Sequence, residues 1–138
     1  MTWLAYALLS AFAASVTAIL TKVGVQGVPS HVATTVRTAV VLVFSAGLMF
    51  GTREHQAFRE IRGRPLLFLL LSGVATGVSW LAYFRALQMA PASQVAPIDK
   101  LSLAITVALA AVFLGEPVSW KLGLGAGLMV AGALITLT

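Results

Sequence analysis

An all-α integral membrane protein with five transmembrane helices is the fold this sequence predicts, and three observations carry it. Hydrophobic residues make up 59% of the chain and charged residues only 9%, with a mean hydropathy of +0.98. That leaves too little polar surface to clothe a water-soluble globule of this size. The apolar residues fall into five runs long enough for helices to cross a hydrocarbon core of about 30 Å. Between the runs lie helix breakers and turn formers: Gly24, Gly27 and Pro29, then the polar stretch 51–64, then Pro91, then Gly115 and Pro117.

The first run, residues 2–21, holds no charge and closes on Lys22 and Gly24. A cleaved signal peptide with Ala11-Phe12-Ala13 as its small-x-small site is the competing reading. The run is too long for that, and no basic residue precedes it. The second span, 31–50, contains Arg37 about two turns in, which either snorkels to the nearer surface or serves a pore. The linker 51–64 sets Arg53, Arg59, Arg62 and Arg64 against Glu54 and Glu60, and a short interfacial helix is expected within it.

Pro65 suits the first turn of the third span, 65–89, where a missing N–H costs least. Trp80, Tyr83 and Phe84 share one face of it by three-and-four spacing, a stripe that reads as packing, an interfacial belt or a substrate wall. Arg85 lies about 140° around from Trp80. Pro91 ends this helix.

The fourth span, 94–114, opens on Ser93-Gln94-Val95-Ala96-Pro97-Ile98-Asp99-Lys100-Leu101-Ser102 and then runs uncharged to Gly115. Ionisable residues inside a span are rare and tied to pathways or partners, because a charge at the bilayer centre costs roughly 2.5 to 3.5 kcal/mol even on the lenient insertion scale. Two readings of this stretch stay open. A helix starting near Ser93 loses one backbone bond to Pro97 in its second turn; a helix starting at Pro97 makes Asp99 a first-turn acid favoured by the helix dipole. Asp99 and Lys100, as sequence neighbours, point about 100° apart. They are not expected to pair, so Asp99 is expected to draw its cation from another helix. The fifth span, 119–138, carries Gly123, Gly125, Gly127 and Gly132 with Ala126, Ala131 and Ala133. Small residues at four- and seven-residue spacing let helix backbones approach in lipid, which marks either a dimer interface or close packing within one subunit.

Composition also excludes function classes. The net charge of +5 would suggest nucleic acid in a soluble protein, but most of the cations lie between or inside spans, where membrane orientation explains them. With no cysteine there is no disulfide, thiolate nucleophile or cysteine-based metal site. No nucleophile, base and orienter set, metal-ligand cluster or phosphate loop is visible, so no enzyme, cofactor or metal is expected. Five spans put the termini on opposite sides, with 51–64, Lys121, Trp3 and Trp120 on the N-terminal side, the cytoplasmic one if loop charges decide. Lys22, Arg37, Arg85, Asp99 and Lys100 then share the opposite half of the membrane. Counting cations near span ends, Arg53, Arg59, Arg62, Arg64 and Lys121 oppose Lys22, Arg37, Arg85 and Lys100. So small a bias allows insertion both ways.

Lys22 with Gly24, Arg37, the 86–94 turn, Ala96-Pro97-Ile98-Asp99-Lys100-Leu101-Ser102, Leu114-Gly115-Glu116-Pro117 and the glycine-rich last helix together resemble a single EamA domain of the drug/metabolite transporter superfamily, in its five-span bacterial and archaeal form. The resemblance spans nearly the whole chain, and it is the order and spacing of these short pieces that carry it. It implies an EamA-like half-transporter over residues 1–138, because larger members resemble two such domains related by inversion around a central cavity. A lone domain should therefore work as a homodimer, antiparallel if it rebuilds the inverted repeat. The four-span small multidrug resistance proteins are a related comparison. Lys22 and the pattern 125–133 fit them tolerably, but Ala13, Ala14 and Ser15 stand where those proteins carry a membrane-embedded glutamate. This departs from cationic-drug and proton antiport unless Asp99 replaces that acid.

The function expected is secondary transport of a small polar organic metabolite by alternating access in a prokaryotic inner membrane. Asp99 is the expected coupling or orienting acid. Arg37, Arg85 and Lys100 hold its charge and attract an anionic or zwitterionic group, while Trp80 and Tyr83 line the cavity. The alternative is a non-transporting membrane subunit that assembles with a partner protein and uses its charges only for pairing.

Overall fold

In the computed structural model, which describes residues 2–137 and leaves aside the side chains of 58 and 59, the chain is helical throughout and no strand occurs among the described residues. The elements are α1 (Thr2–Gly24), α2 (Ser30–Gly51), α3 (His55–Glu60), α4 (Arg64–Met89), α5 (Ala92–Asp99), α6 (Leu101–Leu109), whose last turn widens into a π-helical segment over Ala110–Leu114, and α7 (Trp120–Ile135). They fall into two compact units, one holding the chain to Leu20 and from Met89 on, the other Thr21–Gln88.

Four helical runs are long and apolar enough to cross a membrane: Thr2–Gly24, Ser30–Gly51, Arg64–Met89 and Ala92–Leu114. At 1.5 Å per residue the 23 residues of α1 reach about 34 Å, beyond the roughly 30 Å hydrocarbon core. Apolar side chains face outward, Leu42, Phe68 and Leu70 being 66%, 66% and 60% exposed, a surface suited to lipid rather than water. The hydroxyls on these helices bond back to their own backbone: Ser15 to Ala11, Thr34 to Ser30, Thr38 to Thr34, Thr76 to Ser72 and Thr106 to Ser102. Each donor is thereby satisfied within its own segment, the condition that hydrocarbon imposes.

In the unit Thr21–Gln88, Gly27 adopts φ +74° in the turn between α1 and α2, a conformation that glycine takes without steric cost. Pro29 precedes α2 in an extended conformation, and Ala33 donates to its carbonyl at 3.0 Å. The linker 51–64 does contain a short helix, α3, with the His55 ring stacked on Phe50 at 5.8 Å. α4 begins at Arg64, so Pro65 lies in its first turn as expected.

In the other unit, α5 begins at Ala92 behind an extended Pro91 whose carbonyl accepts from Val95 at 3.1 Å. This decides between the two readings of the fourth span. Pro97 lies inside a helix that has already started, and Asp99 stands at its C-terminal end rather than in a first turn. The helix is then interrupted at Lys100, whose N–H is shared between the carbonyls of Ala96 at 3.3 Å and Pro97 at 3.1 Å. Gly115, at φ +66°, ends the π segment, and the Glu116 N–H closes back on the Ala110 carbonyl at 3.3 Å.

α7 is the one departure in span length. Pro117 has no N–H and holds the preceding residue out of helical geometry, so the helix waits for Ser119, whose Oγ caps it by accepting from the Leu122 N–H at 3.2 Å. It ends at Ile135, and the expected end at 138 lies outside the described residues. Its 16 residues rise about 24 Å, short of a full crossing. Within this unit α5 and α6 both lie against α7.

Candidate functional site

α2 and α4 bring Arg37 and Trp80 together. The guanidinium carbon lies 4.1 Å from the Trp80 ring centroid and 5.5 Å from that of Phe84. Trp80 and Phe84 are one helical turn apart and so offer their rings to a single cation. Phe84 is 1% exposed, which makes it part of the packed interior, and Tyr83 contacts it at 6.5 Å. The aromatic stripe of α4 is thus a cation-binding surface, and the cation it holds is the protein's own Arg37. A cation over an indole is worth about 0.5 to 2 kcal/mol, the upper end where water is excluded.

At the end of α4 a second polar group forms. Lys22 donates to the Leu87 carbonyl, Arg85 donates to Gln88 Oε1 at 3.2 Å, and the Gln88 amide donates to the carbonyls of Val25, at 3.2 Å, and Val28. These bonds tie the α1–α2 turn to α4 and border an open cleft of about 510 Å³ lined by Lys22, Gln26, Pro29, Arg85 and Gln88 among others. Gln88 is the residue the sequence reading missed. Its signal was a lone amide in the last turn of an apolar helix, a place where a side chain either reaches water or satisfies a neighbouring turn.

Asp99 and Lys100 lie in the other unit and pair with each other, Oδ2 to Nζ at 3.4 Å, with the side chains 37% and 55% exposed. This corrects the expectation that neighbours at helical spacing would not meet. Lys100 is where the helix is interrupted, so the 100° rule of an unbroken helix does not govern the pair. Asp99 has a cation beside it without recruiting one from another helix. Over Gly125, Gly127 and Gly132 a Cβ would meet nothing within 4 Å, and over Gly123 only Val118 Cγ1 at 4.0 Å. None of the four glycines is therefore closely packed on a side chain among the described residues; Gly123 and Gly127 lie on one side of α7, Gly125 and Gly132 on the other. No cluster of three or more potential metal ligands occurs among them.

Residues 1–138 match the EamA-like transporter family. A Sinorhizobium protein described as an uncharacterized transporter in the cobO 3′ region is 47% identical over 133 residues, covering 96% of this chain and 94% of the relative. No solved structure matches the chain. With long apolar helices and lipid-facing side chains already in place, this likeness end to end makes the chain an integral membrane protein and a transporter, a member of the EamA-like transporter family.

Proposed function

We propose that the protein is a secondary transporter of a small polar organic metabolite, working by alternating access as an antiparallel dimer of two copies in a prokaryotic inner membrane. One observation supports this reading above the others: the run Ala92–Leu114 is apolar enough to span, yet it is interrupted at an exposed Asp99–Lys100 pair. Secondary transporters place substrate and ion sites at breaks in spanning helices; here the break is one residue wide, with Lys100 keeping right-handed helical angles and a carboxylate and an ammonium beside it. Asp99 is the coupling or orienting acid, with Lys100 beside it. Arg37, Arg85 and Lys100 favour an anionic or zwitterionic cargo, with Trp80 and Tyr83 as wall residues. α7 with its flanking residues is the fifth span, and the small-residue positions Gly123, Gly125, Gly127 and Gly132 admit close approach of the second copy.

A thermal-shift screen of the purified protein against amino acids, organic acids, amines and nucleobases tests the reading, because a ligand of the folded state raises its melting temperature by mass action. A stabilising ligand whose effect disappears in Asp99→Asn is the expected result. A screen in which anionic and zwitterionic compounds leave the melting temperature unchanged counts against it.

A further inference from the structure

The cleft at the ends of α1 and α4 carries two cations, and neither an aspartate nor a glutamate lies in its lining. Lys22 has a structural reason to be there, since it stands in the last turn of α1, where a cation offsets the exposed carbonyls of a helix end. That reason does not reach Arg85, because α4 has no basic residue in its last turn and the dipole effect fades within one turn. Arg85 donates to the neutral Gln88 Oε1, and among the described residues no carboxylate pairs with it, the ion pair there being Asp99–Lys100. Gln88 in turn is fixed by two turn carbonyls, so the guanidinium is held against a shaped wall. The cleft lies where the membrane-length helices α1 and α4 end, the depth at which lipid phosphates sit. Basic pockets between span ends are suited to such headgroups.

We propose that this cleft binds a phosphate group, that of an anionic lipid headgroup or the same group on a soluble metabolite. Lys22 and Arg85 supply the charge and Gln88 holds Arg85 in place. Only Arg85 is shared with the transport reading.

The test uses the full chain in neutral detergent and follows melting temperature and native mass with added phosphatidylglycerol, phosphatidylcholine or inorganic phosphate. Phosphatidylglycerol should raise the melting temperature and stay bound in the mass spectrum where phosphatidylcholine does not. Arg85→Gln should weaken that effect by about fivefold, the share of one basic residue near a membrane surface. Should Arg85→Gln fail to fold, Gln26→Glu keeps the test alive: Gln26 is exposed, and a carboxylate there should repel the phosphate and remove the shift. Stabilisation by inorganic phosphate but not by phosphatidylglycerol, lost in the same variants, supports the site and assigns it to a soluble ligand. No shift with either, or a phosphatidylglycerol shift equal in wild type and both variants, overturns it. Because stability and bound mass are read rather than uptake, failure here leaves the role of Asp99 standing, and failure of Asp99 leaves this site standing.

Discussion

Replacing Arg37 by glutamine and Trp80 by leucine, singly and together, measures how much of the α2–α4 contact is the cation on the ring. The guanidinium carbon is 4.1 Å from the indole centroid and 5.5 Å from the Phe84 centroid, both inside the roughly 6 Å reach of the interaction. Arg37 is partly buried, so the pair falls between the exposed limit of about 0.5 kcal/mol and the desolvated value of about 2 kcal/mol. A coupling of about 1 kcal/mol between Arg37 and Trp80 is expected, and a smaller one with Phe84, whose ring is farther and less electron-rich. Leucine keeps apolar bulk at position 80 and removes the ring. Arg37→Lys keeps the charge and should retain part of the coupling. Reversible unfolding in mixed micelles, followed by far-ultraviolet circular dichroism, supplies the four stabilities of the cycle. Additivity within about 0.3 kcal/mol would refute the cation–π account and return Arg37 to a cation that merely snorkels.

Three further outcomes are expected. Arg53 holds φ +60° just beyond α2, so Arg53→Gly should raise stability by about 0.5 to 1 kcal/mol once glycine's greater freedom in the unfolded chain is counted; an unchanged or lower melting temperature would rule out strain at that turn. A Cβ at Gly125 or Gly132 meets nothing within 4 Å among the described residues, so a fall from dimer to monomer mass in light scattering for Gly125→Leu or Gly132→Leu would report an intersubunit face, and unchanged mass for both variants removes α7 from the interface. Gln56→Cys gives a single thiol in a cysteine-free chain; an impermeant maleimide applied to intact cells should label about half the molecules if the near-balanced cations allow both orientations, and near-zero labelling leaves only a fixed topology.

The helix boundaries were legible because local chemistry sets them. Pro91 and Gly115 stop or start helices wherever they stand, and Lys22, Gly24 and Gly27 announced the first turn. The sequence carries the last helix past Ile135, since Leu137 continues the apolar pattern while the backbone turns at Thr136 and Leu137. The interruption at Lys100 comes three residues after Pro97, whose missing N–H is visible in the sequence, whereas the π-helical widening at Ala110–Leu114 left no compositional trace, because it is a choice among backbone hydrogen bonds with the same side chains. At the candidate site the residue types were visible and the pairings were not. Trp80, Phe84 and Arg37 were each conspicuous, but that one cation lies over both rings depends on how α2 packs against α4. Asp99 was assigned a distant partner by the geometry of an unbroken helix, and the break gave it Lys100 instead.

The most direct test of the transport account is uptake into proteoliposomes of whichever ligand stabilises the purified protein, driven by an imposed ion gradient, for wild type and Asp99→Asn. The amide keeps the shape of the carboxylate and much of its hydrogen bonding, and the pair it disturbs is not packed into the protein interior, so the variant should fold, elute as the wild type does and carry out no gradient-driven uptake. Undiminished uptake by a folded Asp99→Asn protein would contradict the account. So would a collapse of folding without any specific loss of transport, since that would make Asp99 a structural ion-pair partner rather than the coupling acid.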